Sequence, residues 1–391
     1  MMENFQYYAP TKVVFGKGTE NKAGQLVKEQ NCRKVLIHYG SGRSGLLDRI
    51  FASLDEEGIS YISLGGVVPN PRLSLVYEGI DLCRREGVDF ILAVGGGSVI
   101  DSAKAIGYGV ENEGDVWDFY ERKRQACGCL PIGVVLTIAA AGSEMSDSSV
   151  ITNENGWLKR GYNSSYCRPK FAVMNPELTM TLPKYQTASG CVDIMMHTME
   201  RYFNHCDNME LTDGISEHLL RTVMKNAKIL MDEPQCYKAR AEVMWAGSLS
   251  HNGLMACGND GGDWACHQLE HELGGMFDVA HGAGLAAVWG SWARYVCDAL
   301  PDRFEQFAVN VMGVENGDDK NAVIQKGIEA MENFFRQIEM PTDLGGLNIE
   351  VSEDQMKELA LKCSHFGKRT IGCVKKLNQE DIYRIYQKAA D

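Results

Sequence analysis

Asp89-Phe-Ile-Leu-Ala-Val94-Gly95-Gly96-Gly97-Ser98-Val99-Ile100-Asp101 is the stretch that decides the fold. Its apolar run reads as a buried strand that ends in three glycines, and a helix is predicted to begin near Val99. Glycines let a backbone approach a ligand closely, and the N–H groups at a helix start favour a phosphate. The spacing is not G-x-G-x-x-G, so the usual dinucleotide fingerprint does not apply. Asp101 and Lys104 follow one turn later; an ordinary solvated pair is the plain reading of them, and it is preferred for Lys104.

Outward from that turn the first half alternates between strands and helices. Val13–Phe15, Lys34–His38, Tyr61–Leu64, Pro131–Leu136 and Phe171–Met174 read as further strands. Helices are expected over Leu46–Leu54 and Leu73–Arg85, the second after the break at Pro69-Asn-Pro71. Such alternation calls for a parallel sheet covered on both faces. Gly142-Ser143-Glu144, after the strand that ends at Leu136 and Thr137, reads as a second turn facing phosphate or ribose. Beyond Pro183 strand-like runs vanish and helical segments take over, among them Tyr185–Phe203, Leu211–Leu230, Tyr237–Ala256 and Val323–Ile338. The expectation is an α/β dinucleotide-binding domain over 1–184 and an all-α metal-binding domain over 185–391.

Length agrees with two domains, since single cores stop growing near roughly 250–300 residues. The chain has 391 residues, 45% of them hydrophobic and 23% charged, with a net charge of −13. That acidic balance disfavours nucleic acid and anionic membranes as partners. No apolar run reaches the length of a membrane span and no basic leader is visible, so a cytoplasmic location is expected. Thirteen scattered cysteines without CxxC spacing fit a reduced compartment. Cys127 and Cys129, the closest pair, are assigned no chemistry.

The second half carries a metal-ligand pattern. Asp193 and His197 lie four residues apart, as do His267 and His271, and His281 follows in His281-Gly-Ala-Gly. Residues i and i+4 share a helix face, so each pair can reach one ion. Imidazoles with a carboxylate suit Fe²⁺ or Zn²⁺ rather than Ca²⁺. His38 ends a strand and either touches cofactor or caps the sheet. His205, His218, His251 and His365 have no partnered spacing and read as structural or exposed.

With these residues in view the chain resembles the iron-containing (type III) alcohol dehydrogenases, and among them the NADPH-using butanol dehydrogenase and aldehyde reductase branch. The resemblance runs almost end to end, through Phe15-Gly-Lys-Gly18, Pro69-Asn-Pro71, Gly95–Lys104, Gly142-Ser-Glu144, Asn175-Pro-Glu-Leu-Thr179, Asp193-x-x-x-His197, His267-x-x-x-His271 and His281-Gly282. It implies a dehydroquinate-synthase-like fold and metal ligands at Asp193, His197, His267 and His281. It also implies a pocket histidine at His271, pyrophosphate-binding glycines at Gly95, Gly96 and Gly97, cofactor contacts at Ser98, Asp101 and Thr137, and a ribose-side lysine at Lys159. Where the family often has Thr-Thr-x-x-Thr-Gly-Ser-Glu, this chain has Thr137-Ile-Ala-Ala-Ala-Gly-Ser-Glu144, so two hydroxyls are missing.

The expected reaction is reversible reduction of an aldehyde, with His271 as proton carrier. The substrate would be a small aldehyde or alcohol, and the resemblance implies a homodimer paired through the N-terminal strand. NADP(H) is expected over NAD(H). The turn Tyr39-Gly40-Ser41-Gly42-Arg43-Ser44 has no acid before Asp48, so it leaves room for a 2′-phosphate and offers Ser41 and Arg43 to hold it. A polyol dehydrogenase and a cyclising lyase of the same fold are the alternatives, with a non-enzymatic nucleotide- and metal-binding protein behind them. Few Lys or Arg surround the ligands, which favours an uncharged substrate over a sugar phosphate.

Overall fold

In the computed structural model, which describes residues 1–41 and 45–390, the chain divides into two compact units. One is Ala9–Thr181 and the other joins Met1–Tyr8 to Leu182–Asp391. The first eight residues thus group with the helices, whereas the sequence placed them with the sheet. The Glu3 N–H donates to the Gly258 carbonyl at 2.8 Å, and no β ladder competes for this segment.

The strands are β1 (Lys12–Phe15), β2 (Lys34–Gly40), β3 (Ser60–Val67), β4 (Phe90–Gly95), β5 (Ile132–Leu136), β6 (Ser148–Asn153), β7 (Leu158–Asn163) and β8 (Phe171–Met174). Six of them form one sheet in the order β1-β8-β5-β4-β2-β3, every neighbouring pair parallel. β6 and β7 form a separate antiparallel hairpin that the sequence reading missed. The helices of this unit are α1 (Ala23–Lys28), α2 (Gly45–Glu56), α3 (Leu73–Glu86), α4 (Gly97–Glu111) and α5 (Trp117–Tyr120). Leu26, Val27, Ile50 and Leu54 from α1 and α2 meet Val35, Ile37, Phe90 and Leu92 in one core cluster.

β3 lies on one side of β2 and β4 on the other, so the strand order reverses between β2 and β4. In open α/β sheets ligands bind outside the carboxyl ends of the strands at such a switch point. Tyr39 pairs with Val94 and Gly95 pairs with Leu136, which sets Gly40, Gly95 and Thr137 side by side along one edge.

The other unit is helical: α6 (Lys184–Tyr202), α7 (Glu210–Asp232), α8 (Tyr237–His251), α9 (Ala265–Phe277), α10 (His281–Val296), α11 (Pro301–Asn310), α12 (Lys320–Gln337), α13 (Glu353–Cys363) and α14 (Gln379–Ala390). Every residue of α6 from Thr187 to Tyr202 is buried, so this helix has no solvent face and forms the axis of the unit. α10 crosses it at Gly282, where a Cβ would stand 1.9 Å from the Ser189 carbonyl oxygen. Only glycine permits that approach. Among the described residues no helix is long and apolar enough to cross a membrane.

Candidate metal centre and cofactor edge

Asp193 and His197 occupy successive turns of α6, His267 and His271 successive turns of α9, and His281 the first turn of α10. The sequence spacing therefore does what a shared helix face requires, and the three helices bring the pairs together. Donor atoms of Asp193, His197 and His267 all lie within 4.8 Å of one another, and all three residues are buried. Asp193 Oδ1 is 3.7 Å from His267 Nε2 and 3.6 Å from His281 Nε2. Two donors each about 2.1 Å from a tetrahedral ion stand roughly 3.4 Å apart, close to these separations. Asp193 Oδ1 and His267 Nε2 are also buried without a well-formed hydrogen bond. Buried polar atoms are otherwise almost always satisfied, so this donor set fits a divalent ion.

The tautomers agree with that fit. His197 Nδ1 lies 3.0 Å from the Asp193 carbonyl, His267 Nδ1 meets the Glu200 carboxylate, and His281 Nδ1 meets the Glu270 carboxylate. Each contact places the N–H on Nδ1 and leaves the Nε2 lone pair for an ion. Glu200 also accepts the His267 backbone N–H at 3.0 Å. The sequence reading missed both glutamates. The cue was spacing, since each stands three residues after a ligand histidine on the same helix.

Electrostatics follow the burial. Burial alone would raise the Asp193 pKa, but the His197 and His281 rings beside it hold the carboxyl well below its usual range. Burial lowers His197 to about 4. Burial also disfavours charge on His267, yet Glu200 and Asp193 outweigh it and raise that ring to about 9.

Aromatic groups wall the centre. Trp264, at the N-cap of α9, has φ 62, a rare conformation for a bulky side chain. Its ring stands 5.4 Å from that of His267 and 4.5 Å from the Arg201 guanidinium. Arg201 also donates to the His197 carbonyl at 2.7 Å, so its charge is committed to the site's frame. His271 keeps company with the ligands, 6.3 Å from His267 and 5.9 Å from His281 between ring centroids. His251, read from sequence as structural or exposed, instead stands half-buried with its ring 4.1 Å from that of His197. The end of α8 carries it there, which no spacing within the sequence announces.

The residues expected from sequence to face the nucleotide sit in the sheet unit. Gly95, Gly96 and Gly97 form the turn from β4 into α4, and Ser98 lies in the first turn of the helix. A Cβ on Gly95 would lie 2.5 Å from Val99 and one on Gly96 3.1 Å from Ile138, so packing itself favours glycine at this turn. The Thr137 N–H donates to the Gly95 carbonyl at 3.0 Å. Asp101 accepts from the Ser143 hydroxyl at 2.6 Å and from the Val150 N–H at 2.9 Å, holding the hairpin to α4. Lys104 is not solvated as expected. It is fully buried and donates to the Ser143, Ser146 and Ser148 carbonyls, which tie down the 143–148 segment. His38 is likewise core, its ring nitrogens 2.9 Å from the Leu64 carbonyl and 2.8 Å from the Ser102 hydroxyl. Lys159 lies buried on β7 opposite Thr152. Gly40 ends β2 and Ser41 is exposed beside it, whereas Arg43 falls outside the described residues.

Comparison with known proteins places these features in a wider set. The family described as iron-containing alcohol dehydrogenase matches residues 10–176, and the C-terminal part of the same family matches 187–390. The chain is 40% identical to NADH-dependent butanol dehydrogenase A of Clostridium acetobutylicum, over 99% of this chain and 100% of that one. It is 33% identical to the NADPH-dependent aldehyde reductase YqhD of Escherichia coli, over 99% and 100%. The crystal structure of NADH-dependent butanol dehydrogenase A from Thermotoga maritima superposes with a TM-score of 0.96 at 40% identity, covering 100% of this chain and 99% of that one.

Proposed function

The chain belongs to the iron-containing alcohol dehydrogenase family, and from that premise we propose that it transfers a hydride between a nicotinamide dinucleotide and a primary alcohol or aldehyde. The observation that carries the reading is the buried donor cluster of Asp193, His197 and His267, with His281 Nε2 3.6 Å from Asp193 Oδ1 beside it. These four side chains would hold one Fe²⁺ or Zn²⁺. When bound, such an ion supplies Lewis acidity toward a carbonyl oxygen. The chain's own contribution is orientation and proton control. The carboxylates behind His267 and His281 fix the donor nitrogens, and half-buried His271 beside them is placed to carry the proton that an alkoxide needs. Uncharged walls, with Arg201 already committed, favour an aldehyde or alcohol over a sugar phosphate.

The turn after β2 supports a finer reading, that NADP(H) is preferred over NAD(H). The sequence from Tyr39 to Ser44 has no acid to repel a 2′-phosphate, and a Cβ at position 40 would have only the Val67 carbonyl, at 3.6 Å, within 4 Å among the described residues. Relatives of both cofactor types are known, the more similar one named for NADH. A homodimer is a further reading, supported by the edge position of β1 and by the exposed Phe15 at its end. Thirteen free thiols support a cytoplasmic location.

One experiment tests the core of this. Protein purified anaerobically is analysed for metal and assayed with a panel of aldehydes against NADPH and NADH. Metal-replete wild type should oxidise cofactor only when aldehyde is present, while Asp193→Ala should lack both metal and turnover yet remain folded. Wild-type metal content and rate in Asp193→Ala would refute the site. In the same assay Gly40→Asp should shift preference towards NADH, and a wild type already favouring NADH refutes the finer reading.

A further inference from the structure

The three ligand-bearing helices are linked in a directional chain. α6 carries Asp193 and His197 and also Glu200, which holds the ring of His267 on α9. α9 in turn carries Glu270, which holds the ring of His281 on α10. Both glutamates are buried, exposed by 1% and 0%. His197 differs, because its Nδ1 contacts Asp193 of its own helix, at 3.0 Å from the backbone carbonyl and 3.1 Å from the carboxylate, with no glutamate of another element behind it among the described residues.

We propose that Glu200 and Glu270 are positioning residues that set the affinity of the metal centre, by fixing His267 and His281 with Nε2 as donor and by lending those rings negative charge. The inference rests on the metal assignment made above and concerns the layer behind the ligands.

Two arguments carry it. A buried carboxylate is costly unless it is paired, and these two are placed against ligand imidazoles. Asp193, Glu200 and Glu270 together put three negative charges in one buried neighbourhood, which a divalent ion offsets in large part. The second argument is geometric. Glu200 grips His267 twice, at the ring and at the backbone N–H, so ring orientation and the start of α9 are fixed by one side chain. Carboxylates behind ligand histidines orient the ring and raise its basicity, and their loss typically weakens metal binding by about 10–100-fold.

The test reads binding without turnover. Full-length wild type, Glu200→Gln and Glu270→Gln are stripped of metal and titrated with Co²⁺ against a chromophoric chelator. Glutamine keeps the shape and can still accept a hydrogen bond, but it removes the charge. Each variant should bind Co²⁺ about 10–100-fold more weakly, with an altered visible Co²⁺ spectrum and a metal-free melting temperature close to wild type. Glu200→Asp and Glu270→Asp, which keep the charge, should recover part of the loss. If Glu200 acts through the ring, adding Glu200→Gln to His267→Ala should cost little more than His267→Ala alone; a full second loss overturns the proposal. Affinities within about threefold of wild type in both Gln variants overturn it too. Weakened Co²⁺ binding upholds it even in a protein that oxidises no alcohol, whereas a wild type that takes up no Co²⁺ sinks the metal assignment along with it.

Discussion

His271 and His38 show how differently one residue type is used in this chain. His271 stands one turn beyond the ligand His267, half-buried and beside the centre rather than within its cluster of donors. Its loss should therefore slow the reaction without releasing metal. General acid–base groups contribute about 10²–10⁴-fold, and kcat of His271→Ala should fall within that range at full metal content. Loss of stoichiometric metal would make His271 a ligand instead. His38 is the opposite case, a core ring kept neutral. Burial lowers its pKa from 6.5 to about 4, against a smaller raising effect of the Leu64 carbonyl. Between those values the unfolded chain binds a proton that the folded chain refuses, so stability falls as pH falls from 6.5 towards 4. The linkage is about 1.4 kcal/mol per pH unit. Urea unfolding at pH 6.5 and 5 should show wild type losing about 1.6 kcal/mol more than His38→Gln. Equal losses would mean that another group drives the acid sensitivity.

Elements differed in how far the sequence disclosed them. The central sheet strands were legible because a parallel strand covered on both faces is an unbroken apolar run, as in β4 and β5, which are buried throughout. The β6–β7 hairpin was not, since its strands are half polar and alternate only weakly between buried and exposed. That omission explains the error at Lys104. A lysine on a helix reads as solvated until something folds over it, and here the segment leading into β6 does. The proposed metal ligands were visible because helical spacing is local. Glu200, Glu270 and His251 were not, because their partners lie on other helices and an acid on a helix is ordinarily solvated. The α6–α10 crossing gives a prediction at this scale. A Cβ at Gly282 would meet the Ser189 carbonyl at 1.9 Å, so Gly282→Ala must push α10 and its first residue, His281, off α6. Overpacking of this kind costs about 1–3 kcal/mol. Urea unfolding should show that loss, and metal analysis should show a partly filled site. Wild-type stability and metal content would mean that α10 can part from α6 without moving His281.

At the scale of the whole molecule the proposed dimer is open to direct measurement. The edge strand β1 presents unpaired N–H and C=O groups and ends in the exposed Phe15, a surface that a second copy can cover. Light scattering at micromolar concentration should give twice the 43.3 kDa chain mass, and a monomer would refute the pairing. The division of the chain into units has a consequence in time. The ribosome makes Met1–Tyr8 first, yet their neighbour Gly258 emerges only after the whole sheet unit has been made. At about 5–20 residues per second that interval is on the order of 10–50 s. Ala9–Thr181, a unit continuous in sequence, can fold during synthesis while the opening residues wait. Asp193 and His197 appear next, His267 and His281 last, so the centre can close only when α10 has left the ribosome. The proposed centre is thus completed late in synthesis, well after every residue of the sheet unit has been made.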